Sequence, residues 1–316
     1  MEVIRDRSSL TPEHRGSAAT IGNFDGVHIG HQAVLSELRK QALMRGLASV
    51  VVTFEPTPRE YFSPATAPPR LTDFREKCEL LDYQGIDRML LLRFDAELAA
   101  LPAERFIDEI LVKGLGVEYL VIGDDFRFGK DRAGDFALLQ AAGRKAGFEV
   151  ASTPTQTFDG ERVSSTRVRE ALAQGELDLA EELLGRRYLM SGIVARGDRI
   201  GRQLGYPTAN LQRAAGPLPL GGVFLVRVYG LGDDALYGMA SAGTRPTVNG
   251  KHDLVEVYLF DFDRDIYGEH IEIEFLDKLR EEERFPDLDS LREQIRLDVN
   301  EGRLRMREWQ RRDRTA

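Results

Sequence analysis

Cysteine is nearly absent from the 316 residues: Cys78 stands alone. That excludes an internal disulfide framework and fits a reducing compartment, the cytoplasm. Basic charge is in deficit as well. With 43 Lys and Arg against 52 Asp and Glu, the net charge is −9. A general nucleic-acid binder shows a basic excess instead, so no nucleic-acid partner is expected, although local basic pockets stay open. No apolar run approaches the ~20 residues a membrane-spanning helix needs. The opening MEVIRDRSSL lacks the apolar core of a signal peptide. The expectation is a soluble protein without a membrane partner, a monomer or a weak homo-oligomer. Neither GxxxxGKS nor GxxxxGKT occurs anywhere, which excludes a P-loop kinase.

What is present reads as two domains, a better prior than one at this length. Hydrophobic content of 42% and charged content of 30% are ordinary for a globular protein. Up to about residue 185, strand-like runs at Ala18–Phe24, Ala48–Phe54, Arg88–Phe94, Glu118–Ile122 and Phe148–Ser152 alternate with helical patterns. The helical patterns cover about 31–45, 74–84, 103–113 and 136–146. Such alternation predicts a doubly wound parallel sheet, Rossmann-like in class, which binds ligands beyond the carboxyl ends of its strands. The unusual residues do follow strands: GNFDGVHIGH after the first, TFEPTPRE after the second and GDDFRFGK after the fourth. From Arg187 to Leu279 helical periodicity gives way to short alternating strands such as Ile271, Ile273 and Phe275. These predict a closed antiparallel β-barrel. A closing helix carries Leu288, Leu291, Ile295 and Val299 on one stripe. The domains are therefore set at 1–185 and 186–316.

Two of the five histidines, His28 and His31, share one glycine turn at the start of a helix. Free backbone N–H groups and the positive helix end attract anions there. The pair reads as a polyphosphate cradle, as a capping accident or as half of a zinc site. Zinc needs about four N, S or O ligands, which a single cysteine makes hard to supply. The segment VSSTRVREAL places hydroxyls and two arginines at another helix start, a second anion site or an ordinary cap with surface arginines. Phe126 and Phe128 are ligand-facing or simple core. In the barrel, Thr208 and Asn210 of PTAN present oxygen ligands on one side of an extended chain, which suits Mg²⁺ with ATP. Gly197, Gly201 and Gly205 form a glycine-rich flap before them. Glu256 interrupts an apolar strand, either at an exposed edge or beside a reacting group.

GVHIGH resembles the HxGH signature of the nucleotidyltransferase superfamily. HxGH, DFRFG and SSTRVR together resemble the FMN adenylyltransferase module of bacterial bifunctional riboflavin kinase/FAD synthetases. The flap, PTAN, VEVYLF, DIYG and REQIRLD resemble riboflavin kinase over nearly the whole second half. The resemblance implies phosphorylation of riboflavin to FMN and adenylylation of FMN to FAD, with ATP, riboflavin and FMN as small-molecule partners. It implies catalytic roles for His28, His31, Arg169 and Glu256, and Mg²⁺ ligands at Thr208 and Asn210. ATP contacts fall on Gly22, Asn23, Phe24, Asp25, Gly30, Asp125, Ser164, Ser165, Thr166, Gly201, Gly205 and Pro207; flavin contacts fall on Phe126, Phe128 and Arg296. Two positions depart from the family pattern: Thr57 stands where many relatives carry histidine, and Ser241 lies where relatives often have asparagine nearby. Two alternatives stay open, adenylyl or cytidylyl transfer to another phosphate acceptor and a silent flavin-binding protein.

Overall fold

A computed structural model of the chain describes residues 1–197, 200–213, 216–247 and 250–313. It divides into two compact units, residues 1–67 with 74–165 and residues 68–73 with 166–316.

In the first unit, strands β1 (Glu2–Arg5), β2 (Ser17–Ile21), β3 (Ala48–Glu55), β4 (Arg88–Arg93), β5 (Val117–Gly123) and β6 (Glu149–Thr153) form one sheet in the order β1-β4-β3-β2-β5-β6. Every pairing is parallel. Between them run α1 (Ile29–Arg45), α2 (Pro58–Phe62), α3 (Phe74–Tyr83), α4 (Ala96–Ala99), α5 (Ala103–Phe106, continued as a π-helix over Ile107–Gly114) and α6 (Phe136–Ala146). A short hairpin, β7 (Thr157–Phe158) and β8 (Glu161–Arg162), completes the unit.

The central strands β2, β3, β4 and β5 are buried almost throughout because both faces of the sheet are covered. Side chains alternate between the faces, so β3 sends Val50, Val52 and Phe54 into one core and Val51 into the other. β5 likewise divides Leu120 and Ile122 from Tyr119 and Val121. The first core takes Phe106, Ile107, Ile110 and Leu111; the second takes Val34, Leu35, Leu38 and Ala42 of α1 and Leu81 of α3. Each fully buried valine of β3 contributes roughly 1.5–3 kcal/mol. β1 was not foreseeable from pattern: of its four residues only Ile4 is buried, too few for alternation to register.

The second unit holds most of α7 (Ser165–Gln174), then α8 (Leu177–Leu184), and a barrel of β9 (Leu189–Ala195), β10 (Ala209–Gln212), β11 (Gly222–Tyr229), β12 (Leu236–Thr247), β13 (Gly250–Leu259) and β14 (His270–Arg280). The barrel is closed in the order β10-β13-β12-β11-β14-β9, and all its pairs are antiparallel. α9 (Ile200–Gln203) lies before β10, and α10 (Leu288–Asp313) follows β14. In β11, Phe224, Leu225 and Val226 are all fully buried, because α10 covers the outer face that Leu225 joins.

The expected stripe on α10 holds only in part. Val299 is buried and Ile295 packs against the cluster of Leu225, Met239, Phe260, Leu276 and Trp309. Leu288, however, is 58% exposed. Leu291, one turn on, lines a cleft rather than the core, so the start of the helix runs past the packed surface. No described helix is long and apolar enough to cross a membrane.

Candidate active sites

In the first unit the site grows from the end of β2. Gly22 N–H still donates to Val52 O at 3.0 Å, and the chain then turns through Phe24 (φ 47°), Gly26 (φ 81°) and Val27 (φ 40°). A positive φ is rare for bulky or β-branched residues and costs of order 1–3 kcal/mol. Both side chains are almost fully buried, which holds the turn in place. His28 caps α1, its Nδ1 accepting from His31 N–H at 3.3 Å. A neutral His28 therefore carries its proton on Nε2. The two imidazoles stack at 3.7 Å with 16° between planes, and Phe24 tilts against His31 at 5.0 Å. A Cβ on Gly30 would come within 3.1 Å of the His28 ring, so glycine there is what lets the ring lie over the helix start.

His28 is buried and His31 partly so. Nδ1 of His31 is buried without a hydrogen-bond partner among the described residues. Burial, then the His28 imidazole, then the Lys77 cation push the His31 imidazolium well below the ordinary histidine range, so His31 is a neutral donor. The unfolded chain protonates this residue near pH ~6.5, whereas the folded chain resists it. Stability is expected to be full above that pH and to fall as the pH drops below it. Urea unfolding of wild type and His31→Gln at about pH 7.5 and 5.5 checks this; an equal acid loss in both would remove His31 as the cause.

Around the turn, Ser165 Oγ donates to Asp25 O at 2.9 Å, and Thr53 Oγ1 donates to Asn23 O at 3.4 Å. Asn23 is exposed, Asp25 buried and Ser164 half-buried. Asp125 is exposed and paired with Arg162 at 2.7 Å, which lowers its carboxyl pKa. Phe126 and Phe128 stack at 5.6 Å, but Phe128 is buried against Phe106, so its ring belongs to the core. Thr166 and Arg169 fall in the second unit, where Thr166 is exposed and Arg169 Nε donates to Pro69 O at 2.6 Å.

In the second unit, Asn210 of β10 stands directly opposite Glu256 of β13, which stands opposite Ser241 of β12. The side chains of such a row share one face. Buried Val255 and Val257 point the other way. Thr208, Glu256 and Ser241 line a cleft of about 310 Å³, with Gly201, Tyr206, Ile295 and Asp298. Thr208 also lines a second cleft of about 300 Å³, with Pro207, Arg202, Phe262, Arg264 and Tyr267. Asn210 is 7% exposed, and a Cβ on Gly197 would strike its side chain at 2.5 Å. Gly205 (φ 90°) lies in the turn after α9. Arg296 is exposed on α10 and paired with Glu293 at 2.6 Å; Leu291, Ile295 and Asp298 of that helix reach the cleft. Asp198 and Arg199 of the flap lie outside the described residues.

Comparison with known proteins agrees with both halves. Residues 10–167 match the FAD synthetase family and residues 184–305 the riboflavin kinase family. A bifunctional riboflavin kinase/FMN adenylyltransferase from Pseudomonas fluorescens is 50% identical over 305 residues, covering 96% of this chain and 97% of that protein. The protein of the same description from Escherichia coli K12 is 48% identical, covering 94% and 96%. The chain belongs to the bifunctional riboflavin kinase/FMN adenylyltransferase family. A solved structure from Streptococcus pneumoniae, described as a macrolide-efflux protein, has a TM-score of 0.79 at 30% identity, covering 96% of this chain and 99% of that one.

Within this family framework, three features escape a sequence reading. The first is an aromatic group at the carboxyl ends of β3 and β4, where Tyr61 and Phe62 of α2 meet Phe94 edge-on at 5.4 and 5.7 Å and Phe54 meets it at 5.8 Å. The adjacent EYF and RF segments gave no periodic signal. The second is Thr57, which forms a capping box with Glu60 at the start of α2, a structural task. The third is an ion pair on the cleft wall between buried Asp298 and partly buried Arg280. Arg280 grips Asp298 with two nitrogens, at 2.9 and 2.7 Å, and Gln294 adds a bond at 2.8 Å. Asp298→Ala removes the partner of the partly screened Arg280 charge and is expected to cost about 1–3 kcal/mol. Urea unfolding followed by fluorescence of Trp309, the chain's single tryptophan, reads this; a loss under about 1 kcal/mol would place the pair among ordinary surface bridges.

Proposed function

We propose that this chain makes FAD from riboflavin in two ATP-dependent steps, with residues 186–316 phosphorylating riboflavin and residues 1–185 adenylylating the FMN produced. Support for the first step rests on Thr208, which lines both barrel clefts. Nucleotide in the second cleft and riboflavin in the first would meet at this residue, beside Glu256. The ribityl 5′-hydroxyl attacks the γ-phosphorus of ATP, the γ-phosphorus–oxygen bond to ADP breaks, and Glu256 takes the hydroxyl proton. Positioning supplies most of the remaining acceleration.

Thr208 and Asn210 fit Mg²⁺. They offer neutral oxygens, Asn210 on β10 across from Glu256 and Thr208 just before that strand in the cleft that Glu256 lines, and no group of three or more His, Cys, Asp or Glu among the described residues makes an all-protein metal cage. That matches a cation that keeps waters and phosphate oxygens in its shell. Bound there with ATP, it would neutralise phosphate charge.

Support for the second step rests on the stacked imidazoles at the start of α1. A phosphate oxygen of FMN attacks the α-phosphorus of ATP and pyrophosphate leaves. The nucleophile is already an anion, so no base is needed; donors are needed instead. His28, neutral His31 and the amides of the turn are assigned that role, with Ser164 and with Ser165, whose Oγ donates to Asp25 O. Exposed Tyr61 and Phe62, with half-buried Phe94 and Phe126, offer an apolar surface for a planar isoalloxazine. Cytoplasmic operation fits Cys78 standing alone. Chromatography after incubating riboflavin, ATP and Mg²⁺ with the purified chain is the test: FMN should appear first and FAD after it. Failure to form FAD from supplied FMN, with transfer to another phosphate acceptor, would replace the second step.

A further inference from the structure

Strand register gives the first barrel cleft a direction. Asn210, Glu256, Ser241 and Val223 stand opposite one another in turn across β10, β13, β12 and β11. Side chains paired in this way lie side by side on one face, with Cβ atoms about 4.5–5.5 Å apart. Glu256, Ser241 and Val223 all line the cleft. The chemistry of the row therefore changes one step at a time, from amide to carboxylate to hydroxyl to an apolar side chain.

Riboflavin carries its groups in a matching order. The 5′-hydroxyl ends a chain of secondary hydroxyls, and that chain joins a flat ring system. With the 5′-hydroxyl at Glu256, the chain runs either back towards Asn210 or on towards Ser241. Magnesium and phosphate take the side of Asn210 and Thr208 in the reading above, which leaves Ser241. Beyond it the row gives way to Val223, which packs on a ring and cannot bond a hydroxyl.

Ser241 is built for such a contact. It is half-buried, and a serine hydroxyl both donates and accepts. Among the described residues that hydroxyl has no hydrogen-bond partner. Ala240 and Ala242 on either side of it are fully buried, and alternation along the strand turns Ser241 to the other face.

We propose that Ser241 reads the ribityl chain of riboflavin, bonding one of its secondary hydroxyls while the 5′-hydroxyl lies at Glu256. The proposal deepens the riboflavin-phosphorylation reading above and rests on it. Ser241 is then a specificity residue. A flavin whose chain lacks secondary hydroxyls loses this bond and keeps the ring and the reacting group.

The test uses the full-length chain and two flavins, riboflavin and the analogue with a 5-hydroxypentyl chain on the same ring nitrogen. Riboflavin phosphorylation is followed by chromatography. The analogue is scored as a competitive inhibitor of it, so its own turnover is not needed. Ser241→Ala should raise KM for riboflavin about 3–10-fold and leave kcat and the inhibition constant of the analogue within about twofold. Ser241→Thr, which keeps the hydroxyl, should recover most of the loss. Ser241→Ala removes one half-buried oxygen and leaves the strand packing in place, and FAD formation from supplied FMN should persist. A serine acting only through Glu256 would lower kcat, and one acting through the fold would weaken both flavins alike. Either of those results, or an unchanged KM for riboflavin, overturns the proposal, while wild-type FMN formation keeps the reading beneath it. A wild type that makes no FMN from riboflavin removes both.

Discussion

His31→Ala is expected to lower FAD formation from supplied FMN by about 10²–10³-fold, or 3–4 kcal/mol of transition-state stabilisation, with FMN formation from riboflavin unchanged. The size follows from what the ring does in its place. His31 is held neutral by burial, by the neighbouring His28 imidazole and by the Lys77 cation, and it stacks on His28 at 3.7 Å. Its proton-bearing nitrogen is therefore a fixed dipole, set before the substrate arrives. Alanine removes the donor and also the ring face that orients His28, so the pair is lost together and the effects of His28→Ala and His31→Ala should not add. The selectivity follows from position: His31 lies in the first compact unit, Glu256 and Thr208 in the second. The decisive comparison is a pair of assays on one preparation, one supplied with FMN and one with riboflavin. Loss of both activities in a folded variant would sink the assignment of separate sites, and retention of FAD formation would make the histidine pair a cap and nothing more.

Much of this was legible in the sequence because the physics was local. The apolar runs of β3 and β5 are long enough to be read, and the barrel strand at Ile271, Ile273 and Phe275 alternates cleanly. HxGH and PTAN are short, and their function lies in backbone turns and adjacent side chains. What escaped depends on contacts far apart in sequence. Lys77 looks like a surface lysine of an ordinary helix, and only its 3% exposure and its effect on His31 mark it out. Asp298 sits among helix residues that alternate in exposure, and nothing local says that Arg280, on a different element, will grip it. Leu288 obeyed the helical period yet stayed exposed, because a period says which face a residue is on and not how far the partner surface extends. Phe128 could be ligand-facing or core by pattern alone; its partner Phe106, on a distant helix, decides for the core.

Glu256→Ala is expected to produce the opposite defect, a loss of about 10²–10⁴-fold in FMN formation with FAD formation from supplied FMN intact. A neutral alcohol is a poor nucleophile, and a carboxylate within hydrogen-bond reach is what removes its proton as the new bond forms. Glu256, the proposed base, is held in place by strand register. It faces Asn210 on one neighbouring strand and Ser241 on the other, while Val255 and Val257 anchor the strand from the opposite face. The same cleft is lined by Glu282 and Glu283, so a carboxylate in the cleft is not by itself the argument. Those two are exposed, on the segment after β14, and lack the fixed register that holds Glu256 across from the proposed magnesium ligand. Glu282→Gln should therefore keep FMN formation within a few fold, and Glu256→Gln, which preserves shape and hydrogen bonding but not basicity, should be nearly as defective as the alanine variant. Riboflavin affinity, measured by quenching of flavin fluorescence, should change little in Glu256→Gln, because the carboxylate acts on the transition state more than on binding. If Glu256→Gln retained full activity while Glu282→Gln lost it, the base would lie on the loop, and strand β13 would serve only as the cleft wall.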